Sequence, residues 1–269
     1  MEGNDYQFKI RTQNVYGWSD FSDVVTVRAS EAPQQPAIAT TSTSDDKVRI
    51  TWQAADDKGD PVTAYRVTIK QADGVFSENV EYCDASVDPV FTNLYCEVPM
   101  SVLRDTAYSL GLGDLVQAKV LAMNAVGDSE YSQENVAGAT VETEPATITT
   151  LGQDLTSQSL TWIVLTWDAL TTQAETGGSP ILNYKVRWNQ GSLDDWVDLV
   201  TIPAGDDPLT YKVESLTGGQ YYRFTVLAEN IHGWGQESAV FIENAASPPS
   251  QPDPIVTSYL NTNIKVVWT

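Results

Sequence analysis

The sequence predicts an all-β chain of tandem β-sandwiches. Three observations carry this: a strand-like segment ending in Asn-x-x-Gly recurs at domain-length spacing, a second strand-like segment ending in tryptophan recurs alongside it, and proline clusters precede each unit.

The alternating segment comes first. It occurs at Tyr6-Gln7-Phe8-Lys9-Ile10-Arg11-Thr12-Gln13-Asn14, again from Val116 to Gly127, and again from Tyr222 to Gly233. Aligned on Asn14, Asn124 and Asn230, the copies lie 110 and 106 residues apart. Phe8, Ile10 and Thr12, then Ala118, Val120 and Ala122, then Phe224, Val226 and Ala228 fall on one side of each copy. A period of two marks a half-buried strand, and the Asn-x-x-Gly after it marks a turn. The tryptophan segment reads Val48-Arg49-Ile50-Thr51-Trp52, Ile163-Val164-Leu165-Thr166-Trp167 and Ile264-Lys265-Val266-Val267-Trp268. After the first two copies come a Gly/Asp/Pro loop and a strand opening on tyrosine, at Tyr65 and Val67 and at Tyr184 and Val186. Prolines at 33 and 36, at 145, and at 248, 249, 252 and 254 read as junctions before each first strand, because proline cannot donate to a ladder.

Composition agrees with packed domains. A hydrophobic content of 42%, with 10% aromatic residues, suffices for cores and argues against wholesale disorder. No apolar run approaches the roughly 18 residues of a membrane span, so no span is expected in this segment. The opening MEGNDYQFKI is polar and acidic, so a secreted protein would carry its targeting signal outside this stretch. With 36 acidic against 15 basic residues the net charge is −21, which repels phosphate backbones and disfavours nucleic acid. Such a surface gives solubility and repulsion between neighbouring modules, or attracts divalent cations to carboxylate-rich loops.

Cys83 and Cys96 fall within one repeat. A cytosolic chain can carry two free thiols, so the count alone decides little. Strand-like, turn-rich flanks and the lack of a joining His or further Cys favour a disulfide over a metal site, and with it an oxidising compartment.

Proline-rich junction, tryptophan-bearing strand B, Gly-Pro loop, tyrosine-opened strand C and an A-x-N-x-x-G-x-x-x-S ending together resemble the fibronectin type III module, an immunoglobulin-like β-sandwich. Ala228-Glu229-Asn230-Ile231-His232-Gly233-Trp234-Gly235-Gln236-Glu237-Ser238 matches that ending with one extra residue between Gly233 and Ser238. Leu216 with Tyr222 resembles the tyrosine corner, in which a phenol hydroxyl closes the turn into strand F. The first complete unit lacks this tyrosine and has Gly113-Asp114 there, so the disulfide is expected to brace what the corner holds elsewhere. This variant is similar to modules of very large surface proteins of single-celled eukaryotes.

The resemblance implies four segments: strands F and G of one module over 1–30, complete modules over 31–144 and 145–247, and strands A and B of another over 248–269. A half-module leaves a sheet face uncovered, so the chain is expected to be a window onto a longer array. Each core is expected to centre on Trp52 or Trp167, faced by Tyr65 and Val67 or by Tyr184 and Val186.

Candidate sites are few. Asp56, Asp57 and Asp60 in the B–C loop offer hard oxygen ligands to Ca²⁺, although a solvated loop accounts for them equally. Lys58-Gly59-Asp60 resembles an integrin-binding tripeptide, but in a different loop from the one adhesive modules use. Trp18 and Trp234 in the F–G loops are candidate contacts for a partner or sugar, or for an adjoining module. Thr40-Thr41-Ser42-Thr43-Ser44, read as linker, and Thr171-Thr172 are candidate acceptors of O-linked sugars. His232 stands in a loop without a catalytic constellation, so no enzyme is expected. The expected role is a structural or adhesive array at the cell surface or outside the cell, whose partners are other copies or modules, extracellular proteins or glycans. The rivals are a ligand-binding receptor ectodomain, an accessory array of a secreted carbohydrate-active enzyme, and an intracellular scaffold.

Overall fold

Alternation along the strands turns one row of side chains inward and dictates where sheets can stack. The computed structural model describes residues 2–192, 195–205 and 209–267. It divides into two units: Met1–Pro145 with Thr172–Pro180 and Asn230–Gly233, and Ala146–Thr171 with Ile181–Glu229 and Trp234–Thr269.

The first unit opens with two antiparallel pairs: β1 (Asp5–Phe8) with β4 (Val25–Arg28), and β2 (Gln13–Asn14) with β3 (Gly17–Trp18). The alternating row here was expected to be half-buried, yet Phe8 and Ile10 are 57% and 74% exposed. The aligned Ala118 and Val120, and Phe224 and Val226, are fully buried. Period two marks the face that can be covered; among the described residues no second sheet covers it at Phe8 and Ile10.

A sandwich follows. One sheet joins β5 (Thr40–Ser44), β6 (Lys47–Thr51) and β9 (Tyr95–Pro99). The other joins β7 (Ala64–Lys70) to β8 (Phe76–Glu78) and to β10 (Ala118–Met123). Short helices α1 (Val90–Asn93) and α2 (Met100–Arg104) flank β9, and α2 buries Met100 and Leu103. Val48, Ile50 and Trp52 share the core with Tyr65, Val67, Ile69 and the inward row of β10. Trp52 and Tyr65 meet with ring centroids 5.8 Å apart, and the Tyr65 hydroxyl accepts the Ala55 N–H at 3.1 Å. Thr40–Ser44 is therefore a strand and not linker. Its β-branched threonines suit a pleated edge, and buried Thr41 donates to the Val116 carbonyl while accepting the Ala139 N–H.

Cys83 and Cys96 are bonded and buried. The bond ties the 79–86 loop to β9 and does not brace the turn into β10, as the sequence suggested. That turn is closed by the Asp114 carboxylate, which accepts the Gly111 N–H at 2.8 Å, and by Val116 N–H donating to Ala139 O.

The second unit contains the other sandwich. One sheet orders β11 (Gly152–Gln158), β12 (Ile163–Thr166) and β15 (Thr210–Val213). The other contains β13 (Asn183–Trp188), β14 (Val197–Pro203), β16 (Tyr221–Asn230), β17 (Gly233–Trp234) and β18 (Phe241–Asn244). Leu165 and Trp167 lie in one core with Tyr184, Val186 and the inward row of β16. Tyr222 is buried, and its hydroxyl accepts the Thr217 N–H at 2.9 Å, beside buried Leu216. A last hairpin, β19 (Val256–Leu260) with β20 (Asn263–Val267), is exposed. Trp268, the third tryptophan of the repeat, lies outside the described residues.

The serines of the repeated ending act as substitutes for ladder pairing. Ser132 donates its N–H to the Val120 carbonyl, and its hydroxyl accepts the Val120 N–H at 3.1 Å. Ser238 does the same to Val226, and Ser22 the same to Ile10. One residue thus satisfies both backbone groups of its partner where the outer segment is too irregular to form a continuous strand.

Candidate functional site

The most elaborated polar cluster of each sandwich is where the incoming backbone meets two loops. At the end of β10, Asn124 is 8% exposed, and its side-chain oxygen accepts the Val126 and Gly127 N–H groups at 2.9 and 3.1 Å. Its amide nitrogen donates to the carbonyls of Glu31 at 2.8 Å and Asp57 at 3.1 Å, with Asp60 O at 3.3 Å. Asn230 is 2% exposed and repeats the arrangement. Its oxygen accepts His232 N–H at 2.8 Å, and its nitrogen donates to Thr143 O at 2.7 Å and Thr176 O at 2.8 Å. The incoming backbone answers in kind: Glu31 N–H donates to Lys58 O, and Thr143 N–H to Gly177 O. An amide side chain suits this position because it offers an acceptor on one side and two donors on the other. Asn14 shows the turn half of the clip, accepting Tyr16 N–H at 2.8 Å.

Close approach fixes the loop chemistry. Gly177 has φ +71°, and a Cβ there would overlap Thr143 O and stand 2.6 Å from Glu144 O. Gly59 has φ +87°, and a Cβ would overlap Gly3 N and stand 2.9 Å from Ala29 O. Only glycine fits either position. Next to Gly177, helix α3 (Gln173–Thr176) starts with a capping box, in which Thr172 accepts Glu175 N–H and the Glu175 carboxylate accepts Thr172 N–H. Thr172 is thus occupied as a helix cap.

Charges flank the second clip. Arg104, at the end of α2, grips Glu144 through two bonds of 2.6 and 2.8 Å. The hydrogen bonds from Arg104 hold the Glu144 carboxyl below the usual carboxylate range, and the same pairing raises Arg104. The His232 ring, almost wholly buried, lies 2.9 Å from the Glu142 carboxylate.

The calcium expectation fares differently. Asp56 accepts the Lys58 N–H and pairs with its ammonium at 3.0 Å, and this bonding holds the carboxyl low. Asp57 accepts Gly59 N–H at 2.9 Å, and Asp60 accepts Ala125 N–H at 3.0 Å. Asp56 and Asp57 cap their own loop, Asp60 caps the turn after β10, and the three do not converge. No group of three ligating side chains suited to a metal occurs among the described residues. Trp18 is 54% exposed and has the Arg11 guanidinium 4.3 Å from its ring centroid. Trp234 is half-buried with the Lys185 ammonium 4.5 Å above it, so its ring packs within its own unit. Sequence reasoning aligned the three asparagines as turn markers but missed their second role, and it missed Arg104, Glu142 and Glu144. An amide at the end of an inward-facing row was the available signal.

Comparisons with known proteins agree with this architecture. Residues 150–244 match the family model described as Fibronectin type III domain. Human Myomesin-2 is 30% identical over 88% of this chain, and 15% of that protein is covered. Chicken M-protein, striated muscle, is 26% identical over 99% of the chain and 18% of its own length. Protein sidekick of Drosophila melanogaster is 24% identical over the whole chain and 12% of its own length. The chain therefore spans less than a fifth of each of these relatives. The family match thus covers the second sandwich, and the chain as a whole is all-β with two β-sandwiches.

Proposed function

We propose that this chain is a non-catalytic structural or adhesive segment of a larger extracellular or cell-surface protein, serving as a spacer and protein-interaction array. In this reading 31–144 and 145–247 are complete modules, framed by strands F and G over 1–30 and strands A and B over 248–269. The observation that carries it is the repeat of one whole architecture, down to the asparagine clip that seats the incoming backbone in each sandwich. Similarity to Myomesin-2 and to M-protein of striated muscle supports a mechanical or interaction role. The Cys83–Cys96 bond supports an oxidising compartment. Partners in this reading are other modules or copies, extracellular proteins or glycans.

Single-molecule stretching of the full chain tests the mechanical role. At about 3.5 Å per residue, each sandwich should release roughly 30 nm of contour in its own event. One merged event, or extension without force peaks, would reject a load-bearing array. Labelling of the protein from its native source without reductant tests the compartment: alkylation of Cys83 and Cys96 would place it in a reducing one.

A further inference from the structure

The segment Glu142-Thr143-Glu144 carries more contacts than a passive linker needs. Its central backbone is held on both sides, since Thr143 N–H donates to Gly177 O and Thr143 O accepts from Asn230. The two flanking carboxylates reach different partners, Glu142 the imidazole of His232 and Glu144 the guanidinium of Arg104. Every one of these residues belongs to the first unit. The first clip has no such pair of carboxylates. Around Glu31 the charged contacts are Lys58 with Asp56 and, at 3.9 Å, with Glu2, while Arg28 donates to the Gly59 carbonyl.

We propose that Glu142–Glu144 is a charge-gated joint, closed by the Asn230 clip and locked by the Arg104–Glu144 and His232–Glu142 pairs. In a chain with 36 acidic and 15 basic residues, two carboxylates with a single residue between them repel each other and their surroundings. The segment lies flat only while both keep their partners, Glu142 the His232 ring and Glu144 the Arg104 guanidinium. The charges facing His232 are Glu142 directly and Glu144 beside it, the latter shared with Arg104. The Arg104 fork fixes the orientation of Glu144 as well as neutralising it. Opening the joint means lifting Thr143 off Gly177 and Asn230 together, and removal of either charge partner lowers that barrier. Because the Arg104–Glu144 pair is partly exposed, ionic strength is the natural gate.

The test is amide exchange at Thr143 in the full chain, with β6 and β12 amides as the reference for intact sandwiches. In low salt, Arg104→Gln and Glu144→Gln should each raise Thr143 exchange roughly three- to tenfold, the range for a partly exposed bidentate pair. Wild-type exchange should rise with added salt, and both variants should lose that dependence. Lys212→Gln, which breaks an exposed pair with Glu214 elsewhere, should leave Thr143 unchanged. If Asn230→Ala accelerates Thr143 while both charge variants leave it at the wild-type rate, the clip alone holds the segment and the gate is wrong. If wild-type Thr143 exchanges freely at every salt concentration, the joint is not closed at all. The inference rests on the tandem-array reading. Loss of β6 and β12 protection in the wild type would sink that reading, whereas failure confined to Thr143 sinks only the gate.

Discussion

Asn124→Ala removes the clip of the first sandwich and leaves its fold otherwise untouched. Two good donated bonds are lost, to Glu31 O and Asp57 O, together with the two that close the Val126–Gly127 turn. At about 1 kcal/mol net for each intramolecular hydrogen bond, four bonds set a ceiling near 4 kcal/mol. The turn amides lie beside exposed Val126 and regain water, so about 2–3 kcal/mol should remain. For a domain of roughly 100 residues that lowers Tm by about 10–20 °C. Calorimetry of the full chain measures it, with pulse-labelled amide exchange on β6 and β10 assigning the transition. Asn14→Ala is the internal control, because Asn14 is exposed and its turn lies outside both sandwich cores. It should leave that transition unmoved. Equal shifts in the two variants, or a shift under about 0.5 kcal/mol for Asn124→Ala, would refute the reasoning.

Three further outcomes are expected. Cys83→Ala with Cys96→Ala should lower the stability of the first sandwich by about 2–3 kcal/mol, as for other short disulfide loops, and leave the second unchanged in urea melts. Gly177→Ala should raise Thr143 amide exchange and destabilise by more than about 1 kcal/mol. Gly152→Ala, where a Cβ meets only Thr150 O at 3.9 Å, should be close to neutral by the same urea melt. Acid should destabilise the chain: the carboxyls of Asp56, Glu97, Glu144 and Asp198 are held low by Lys58, Arg49, Arg104 and Lys185 respectively. Groups depressed in the folded state contribute stability above their unfolded range near pH 4, and lose it as pH falls through the folded values. The urea midpoint should therefore fall steadily below about pH 4, and Arg104→Gln should flatten the part due to Glu144.

The strands and cores were legible because burial follows a two-residue period, which survives in a single sequence. Trp52, Tyr65, Trp167 and Tyr184 sit where that period and the loop between them put them. The tyrosine corner was legible because Leu216 and Tyr222 are close in sequence. The disulfide's place was not. Cys83 lies in an irregular loop, and nothing local tells which strand end such a loop braces. Thr40–Ser44 reads as linker by composition, and only pairing with β6 makes it a strand. The clip was half legible: Asn-x-x-Gly names the turn, but the carbonyls of Glu31 and Thr143 lie about 90 residues away and leave no local trace. Asp56, Asp57 and Asp60 illustrate the opposite failure, since carboxylate density in sequence says nothing of convergence in space. Asp56 and Asp57 turned to N–H groups of their own loop, and Asp60 to that of Ala125.

Two sandwiches each seat their incoming backbone through one asparagine. Residue-resolved amide exchange of the unmodified chain tests this most directly, at Glu31 and Thr143, whose N–H groups donate to Lys58 O and Gly177 O. Both should be protected well above the exposed prolyl-rich stretch 248–255, and both should lose protection only with their own sandwich core. Exchange of either at the rate of that stretch, with its core still protected, would contradict the account.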